Sequence, residues 1–142
     1  MKIKIINGPN MNMLGIREPG IYGLKSYEDL VEYIEEKSGK ENELCFVQSN
    51  HEGVLIDEIH RAYYDDFEGI VINPAAYTHT SLAIADALRA VKIPFVEVHI
   101  SNICDRESYR SISYVKDAAV ATVSGHGFKG YVEAIEILNN LD

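Results

Sequence analysis

Short apolar runs alternate with stretches of helical periodicity along the chain. The apolar runs predict five strands, at residues 2–7, 43–49, 69–74, 94–101 and 118–125. Between the strands, apolar side chains recur at helical spacing, for example at Leu55, Ile59 and Ala62. Helices are therefore predicted at 26–39, 55–64, 80–91 and 130–141, with a short helix and a turn at 105–115.

The alternation of strand and helix predicts an α/β protein with a doubly wound, five-stranded parallel sheet. The predicted strands are nearly continuous apolar runs, which is typical of parallel strands covered by helices on both faces. Flavodoxin-like strand order is the common arrangement at this size. Local signals agree, because Ser26 and Asp29 form a capping-box pattern and Gly39 can end the first helix. A single domain over residues 1–142 is expected.

Composition and charge narrow the classes of function. The chain has 142 residues, is 46% hydrophobic and carries a formal net charge of −9, so nucleic acid and anionic membranes are poor partners. No apolar run approaches the ~20 residues of a membrane span, and the start lacks the apolar core of a signal peptide. Cys45 and Cys104 lack metal-binding spacing and are expected to stay reduced. A cytoplasmic protein is therefore expected.

The stretch NGPNMNMLGIREPGIYG, residues 7–23, is long for a connection between elements. It holds three Asn, four Gly and two Pro around Arg17 and Tyr22. Long loops in small domains are commonly lids or binding loops. We expect an active-site lid at about residues 8–24.

Polar residues follow the predicted strands at the edge where open α/β sheets bind ligands. They are Asn7, Asn10, Asn73, His79, His99, Ser101, Asn102, Ser124 and His126. Each has a structural explanation as well, since asparagines form turns and a histidine at a helix start can bind the backbone. Because four strand ends converge on one edge, the set as a whole predicts a binding site there. His51 and His60, in or beside the second helix, are expected to be structural.

Several known types of ligand site do not match. The loop after the first strand lacks the Ser and Thr of a flavin phosphate loop, and the first and third strands end in Asn, unlike a phospho-receiver. The pattern G-x-G-x-x-G is absent there, and its match GHGFKG lies at the last strand. Neither zinc-ligand spacing nor a G-x-S-x-G nucleophile elbow occurs. No metal and no cofactor are expected, which leaves proton transfer as the natural chemistry.

The residue types at this edge suit proton transfer on a small anion. His99 can act as acid or base near neutral pH. Tyr22 can act as base only if its pKa falls from about 10, a change that an adjacent Arg17 would favour. Asn10 can hold an oxyanion, and backbone N–H groups near Ile100 and Ser101 can bind a carboxylate. A small anionic, hydroxylated substrate is therefore expected.

The segments NGPNMNMLGIREPGIYG, QSNHEG, INPAAYTHTS and EVHISNICDRESYR occur in this order. Together they resemble type II 3-dehydroquinate dehydratase, collinearly from residue 5 to about residue 140. The resemblance implies a flavodoxin-like enzyme that converts 3-dehydroquinate to 3-dehydroshikimate in the shikimate pathway of aromatic amino acid biosynthesis. The family reacts by anti elimination through an enolate, without a metal, cofactor or Schiff base.

The resemblance also implies a role for each matched residue. Tyr22 would remove the proton next to the ketone, and His99 would protonate the departing hydroxyl. Arg17 would lower the tyrosine pKa, and Asn10 would hold the enolate oxygen through a water. Substrate binding would fall to Asn73, His79, Ile100, Ser101 and Arg110.

The family assembles as a homododecamer, a tetramer of trimers, in which Asp86 would reach into a neighbouring subunit's site and Glu18 would help order the lid. Two alternatives stay open. One is a non-catalytic module that binds a small anion on the same fold, and the other is a different lyase or hydratase. The sequence also leaves open a biosynthetic or a quinate-degrading role.

Overall fold

The computed structural model describes residues 1–16 and 25–141, which form a five-stranded parallel sheet with helices on both faces. Its strands are β1 (Lys2–Asn7), β2 (Glu43–Gln48), β3 (Gly69–Asn73), β4 (Phe95–His99) and β5 (Ala121–Ser124). Their order across the sheet is β2-β1-β3-β4-β5, and every neighbouring pair is parallel. This is the flavodoxin-like, doubly wound order, so the predicted fold class is confirmed.

The helices divide the core into two layers. They are α1 (Tyr27–Lys37), α2 (Glu52–Tyr64), α3 (Leu82–Val91) and α4 (Lys129–Asn139). Helices α1 and α4 pack on the face that includes Ile5, and α2 and α3 pack on the face that includes Ile6. Because successive strand residues point to opposite faces, both isoleucines are fully buried, which explains the continuous apolar runs. None of the described helices is long and apolar enough to cross a membrane.

Local signals set the helix ends. The Ser26 hydroxyl oxygen accepts from the Asp29 N–H at 3.1 Å, and the Asp29 carboxylate accepts from the Ser26 N–H at 2.9 Å. This reciprocal pair is the predicted capping box. Gly39 has a φ of 85°, the left-handed conformation that commonly follows a helix, so the predicted helix end is also confirmed.

Several predicted element bounds differ from the fold. The last two strands, predicted at 94–101 and 118–125, span Phe95–His99 and Ala121–Ser124. Helix α2 begins at Glu52, three residues before the predicted start at Leu55. Apolar periodicity does not reveal this start, because Glu52 and Gly53 carry no apolar side chain.

In the segment 105–115, where a short helix and a turn are predicted, the structure has a 3-10 helix at Ser108–Arg110. The Ser111 hydroxyl donates to the Ser108 carbonyl at 2.7 Å, and such side-chain bonds to the backbone compete with helix formation.

The loops after β1 and β3 touch through their backbones at the carboxyl edge of the sheet. The Gly8 N–H donates to the Asn73 carbonyl at 2.8 Å. A Cβ atom on Gly8 would lie only 2.5 Å from the Pro74 carbonyl oxygen, so a side chain does not fit there. The two loops therefore form one continuous wall.

Candidate active site

A cleft opens at the carboxyl edge of the sheet, between the ends of β1, β3 and β4. This is where the strand order changes direction, the usual ligand position in open α/β sheets. The cleft holds about 610 Å³ of empty space, part of it open to solvent. Its walls come from the loop after β1, the turn after β3, the residues after β4 and the segment 103–110.

The cleft brings together most of the predicted site residues. Those that line it are Asn10, Asn73, His79, His99, Ile100, Ser101 and Arg110. Arg17, Glu18 and Tyr22 lie outside the described residues, which include only positions 8–16 of the predicted lid. Asp86 lies on α3 outside the cleft wall, with its side chain 78% exposed and 3.9 Å from Arg89.

His99 ends β4 and is held by Glu97, two residues earlier on the same face of the strand. The His99 Nε2 lies 2.6 Å from Oε2 of Glu97, and both side chains are buried. Since a carboxylate only accepts hydrogen bonds, Nε2 carries a hydrogen and donates it. Nδ1 is therefore the ring nitrogen of His99 that is left to exchange a proton in the cleft.

Glu97 is a fully buried carboxylate surrounded by donors. The Thr78 hydroxyl donates to Oε2 at 2.5 Å, and the Ser113 hydroxyl lies 3.0 Å from Oε1. Burial by itself raises the pKa of Glu97. The hydrogen bond and charge of His99 and the hydrogen bonds of Thr78 and Ser113 lower it by more, so the pKa of Glu97 lies below its ordinary value. The carboxylate is thus ionised at neutral pH.

His79 lies across the cleft in the turn after β3. Its Nδ1 is 2.6 Å from the Ile112 carbonyl oxygen, which can only accept, so Nδ1 carries the hydrogen. Burial lowers the pKa of His79, and the charges of His99 and Arg110 add to this, although the bond to Ile112 opposes it. The ring is therefore neutral at pH 7, and Nε2 is an acceptor for a hydroxyl.

Two backbone N–H groups after β4 point in one direction. The His99 carbonyl accepts from the Gly125 N–H at 3.2 Å, and the Ile100 carbonyl accepts from the Gly127 N–H at 3.1 Å. In a trans peptide the N–H points opposite to the C=O, so the N–H groups of Ile100 and Ser101 both point away from the 125–127 loop. Paired N–H groups of this kind suit an anion.

Asn10 stands at the foot of the predicted lid in a left-handed conformation, with a φ of 69°. Its N–H donates to Oδ1 of Asn50 at 2.9 Å, and the Gln48 side chain donates to the Gly8 carbonyl at 3.1 Å. Asparagine adopts this conformation more readily than most residues. The foot of the loop is thus tied to the end of β2, and the exposed Asn10 side chain is at the cleft.

Two arginines supply positive charge on the opposite wall. The Arg110 Nε lies 2.9 Å from a Glu107 carboxylate oxygen, and the Arg106 Nε lies 3.9 Å from the same oxygen. Both guanidinium side chains are mostly buried and line the cleft. With the N–H groups of Ile100 and Ser101, they make the cleft suitable for an anionic ligand.

A second buried cluster lies under the ends of β1 and β3. The Tyr131 hydroxyl, from α4, donates to Oδ1 of Asn7 at 2.6 Å and accepts from Nδ2 of Asn73 at 2.9 Å. Nδ2 of Asn7 donates in turn to the Tyr27 hydroxyl at 3.3 Å. Burial raises the pKa of Tyr131 and of Tyr27, so both phenols stay protonated. The Asn73 Oδ1 accepts from the Ala75 N–H at 3.0 Å, which fixes the orientation of its amide.

Sequence reasoning missed several residues of this site. Glu97 had a readable signal, since it is a charged residue inside the apolar strand PFVEVHIS, two positions before His99. Arg106 had a weaker one, because it precedes Arg110 by about one helical turn. Tyr131 had none, because its spacing fits an ordinary apolar helix face. His126, which the sequence did place at this edge, has its Nδ1 2.6 Å from Oε2 of the exposed Glu133.

The arrangement combines a paired histidine, a neutral histidine, two arginines and two convergent N–H groups. In the described residues no group of three or more His, Cys, Asp and Glu side chains is placed to hold a metal ion. The described groups can bind a small hydroxylated carboxylate and exchange a proton with it through His99.

The class II dehydroquinase family model matches residues 1–139. A 3-dehydroquinate dehydratase from Clostridium beijerinckii is 50% identical over 139 residues, which cover 97% of this chain and 95% of that protein. The crystal structure of type II dehydroquinase from Butyrivibrio crossotus matches with a TM-score of 0.96 and 52% identity, covering 99% of this chain and 98% of that one. The type II dehydroquinase from Propionibacterium acnes matches with a TM-score of 0.90 and 41% identity, covering 96% and 94%. Since sequence and backbone agree over nearly the whole length of the chain, the protein belongs to the class II dehydroquinase family.

Proposed function

We propose that the chain is a 3-dehydroquinate dehydratase that removes water from 3-dehydroquinate by anti elimination through an enolate, in the shikimate pathway. The observation that carries this is the cleft itself: seven residues of the family's motifs meet there, although they come from four separate segments of the chain. Membership of the family indicates 3-dehydroquinate as the substrate, and the geometry of the cleft suits the carboxylate and hydroxyl groups of this molecule.

The substrate carboxylate binds the N–H groups of Ile100 and Ser101, together with the Ser101 hydroxyl. Asn73, His79 and Arg110 bind the ring hydroxyls. The neutral state of His79 supports this assignment, because its Nε2 accepts a hydroxyl hydrogen without adding charge. The binding step thus uses groups whose orientation is already set by hydrogen bonds within the protein.

In the chemical step, the phenolate of Tyr22 removes the proton next to the ketone, and the electrons move into the enolate. The enolate oxygen is held through a water by Asn10. His99 then gives the proton on Nδ1 to the departing hydroxyl, which leaves as water. Because Glu97 is ionised beside it, the His99 imidazolium is stabilised before the transfer.

Residues 8–24 act as a lid that carries Arg17 and Tyr22 over the cleft, with Glu18 ordering it, in a single catalytic domain. Ionising a phenol at pH 7 requires its pKa to fall by about 3 units, which corresponds to ~4 kcal/mol. A guanidinium in contact with the phenolate and exclusion of water by the lid both act in that direction. The tyrosine base therefore forms when the lid closes.

The assembly is a homododecamer, a tetramer of trimers, located in the cytoplasm. The exposed side chain of Asp86 is available to a neighbouring subunit, in keeping with a role in that subunit's site. Analytical ultracentrifugation tests this: a monomer at assay concentration would contradict it, and Asp86→Ala is expected to lower activity while the wild-type mass is retained.

The function is tested by adding 3-dehydroquinate to the purified protein and following the ultraviolet absorbance of the conjugated enone product. Absorbance is expected to rise with a chelator present and to survive borohydride. Inactivation that needs both substrate and borohydride would indicate an imine and overturn the tyrosine mechanism. A folded protein that binds the substrate without product would instead be a non-catalytic anion-binding module.

The base assignment is tested by Tyr22→Phe, which removes only the phenolic oxygen. A general base contributes about 10²- to 10⁴-fold, so kcat is expected to fall by about that factor while substrate binding is largely kept. Tyr63→Phe, at an exposed position on α2, is the matched control and is expected to leave the rate unchanged. A near-normal rate for Tyr22→Phe would refute the assignment.

A further inference from the structure

The carboxylate behind His99 is held by two hydroxyl groups that the reaction itself does not use. Glu97 is fully buried, and Thr78 and Ser113 are its neutral donors. Thr78 comes from the turn after β3, and Ser113 from the segment after Arg110. Both hydroxyl side chains are themselves more than nine-tenths buried.

The available hydrogens and lone pairs determine which way the Thr78 and Ser113 hydroxyls point. The Ser113 oxygen accepts from the N–H groups of Val115 and Lys116, at 3.3 and 3.1 Å, which occupies both lone pairs. Thr78 therefore cannot donate to Ser113, and its hydrogen goes to Oε2 of Glu97. The Ser113 hydrogen goes to Glu97 or, across 2.8 Å, to the Thr78 oxygen. In either arrangement Glu97 receives hydrogen bonds that favour its ionised form.

The same two segments are joined residue by residue. The Ile112 carbonyl accepts from His79 Nδ1 at 2.6 Å, and the Tyr114 N–H donates to the Thr78 carbonyl at 2.9 Å. Ser113, between them, meets Thr78 and Glu97. One short segment thus orients His79 directly and His99 through Glu97, while its other end carries Arg110.

We propose that Thr78 and Ser113 are positioning residues, a hydroxyl clamp that keeps Glu97 ionised and so holds His99 with its hydrogen on Nε2 and Nδ1 toward the cleft. In the clamp, Thr78 is the obligatory donor and Ser113 ties it to the segment that carries Arg110. The inference rests on the proposed function for its kinetic consequence. Its effect on the protonation of His99 does not depend on turnover.

The loss of a clamp hydroxyl is expected to change the proton affinity of the Glu97–His99 pair in one direction. Without a donor, the Glu97 carboxylate holds a proton more strongly and stabilises the His99 imidazolium more strongly, so the pKa values of the coupled pair rise. The other titratable or charged groups near the pair in the described structure are the neutral His79 and the charged Arg106 and Arg110, and none of them is changed by the substitutions. A hydrogen bond to a charged group shifts the pKa of that group by about one to two pH units.

The test uses Thr78→Val and Ser113→Ala, with Thr80→Val and Ser111→Ala as matched controls on exposed neighbours. The high-pH limb of kcat, which reports loss of the His99 proton, is expected to move up by about one pH unit in Thr78→Val. In Ser113→Ala it is expected to move up by less, because the Ser113 hydrogen lies on Glu97 in only one of the two arrangements. The controls are expected to keep the wild-type limb. Thr78→Ser, which keeps the hydroxyl, is expected to restore it. A uniform fall of kcat with an unmoved limb would overturn the clamp.

A second readout needs no activity. Hydrogen–deuterium exchange at the imidazole C2 carbon, followed by peptide mass spectrometry, reports the titration of each histidine separately. The His99 midpoint is expected to rise in Thr78→Val by the same amount as the kinetic limb, while the exposed His60 stays constant as internal reference. An unmoved His99 midpoint overturns the clamp. A risen midpoint in a protein without turnover supports the clamp and rejects the proposed function, so the two failures are distinguishable.

Discussion

Two buried hydrogen-bonded clusters lie side by side under the same cleft and differ in charge. The neutral cluster contains Tyr27, Asn7, Tyr131 and Asn73. The ionised cluster contains Thr78, Glu97, His99 and Ser113. Both join strand ends to elements far away in the chain, and every hydroxyl in them is mostly or fully buried.

The difference shows how burial is used in two ways. In the neutral cluster, burial raises the pKa of both phenols, so no member changes charge near neutral pH and the cluster only sets geometry. In the ionised cluster, hydrogen bonds to Glu97 outweigh its burial and keep a charge beside a histidine. The neutral cluster thus orients side chains at the sheet edge, whereas the ionised cluster also sets the proton affinity of His99.

Removing the negative charge of Glu97 is expected to have the largest effect, a loss of kcat. Glu97→Gln keeps the size but places an amide NH₂ against the Thr78 and Ser113 donors, and it no longer fixes the hydrogen on His99 Nε2. A misplaced histidine hydrogen of this kind costs about 10²- to 10⁴-fold in kcat, to be measured in the enone assay. Glu133→Gln, which alters the exposed pair with His126, is the matched control. A loss below tenfold for Glu97→Gln would contradict the assignment.

The same variant tests the pH dependence of stability. The folded-state pKa of Glu97 lies below its ordinary value of 4.5. A lowered carboxyl pKa stabilises the fold above about pH 4.5, and this contribution is lost as the pH falls through the folded-state pKa. Urea unfolding should therefore show wild type more stable than Glu97→Gln at pH 7, with the gap narrowing below pH 4.5. A gap that does not change with pH would show that Glu97 is not held as an ion.

A backbone change beside the neutral cluster is expected to have the next largest effect. Gly8→Ala would put a Cβ atom 2.5 Å from the Pro74 carbonyl oxygen, and the backbone would have to move. We expect a loss of about 3 kcal/mol in the free energy of unfolding, with a raised KM because both loops line the cleft. Gly53→Ala is the control, since its Cβ would meet nothing within 4 Å in α2, and about 0.5 kcal/mol of stabilisation is expected. Equal effects of the two changes would contradict the close approach.

The smallest effect is expected from Tyr131→Phe. It leaves Asn7 and Asn73 without their shared partner, at a cost of about 2 kcal/mol in unfolding free energy. A modest rise in KM is expected because the Asn73 amide is less well oriented, but the pH limbs of kcat should not move. Tyr63→Phe, exposed on α2, serves as control. A shifted limb in Tyr131→Phe would erase the distinction between the two clusters.

Some features of the structure could be predicted from residues that are close together in the sequence. The capping box of Ser26 and Asp29 involves residues three positions apart, so neighbours in sequence are sufficient. Glu97 could also have been found, because a charge two positions before His99 on a strand must share its face. By contrast, Tyr131 and Asn7 are 124 residues apart, and nothing in the helix pattern of α4 distinguishes this tyrosine from a core residue.

The sequence by itself determined the layered fold, the edge of the sheet that binds a ligand and the set of polar residues brought there, since these follow from hydrophobic periodicity and from the parallel direction of the strands. The tertiary structure alone decided which of those residues touch. Thr78 and Ser113 lie 19 and 16 residues from Glu97, and only the path of the chain across the sheet makes them its donors. Whether a buried group is charged depends on every neighbour at once, and those neighbours come from different segments.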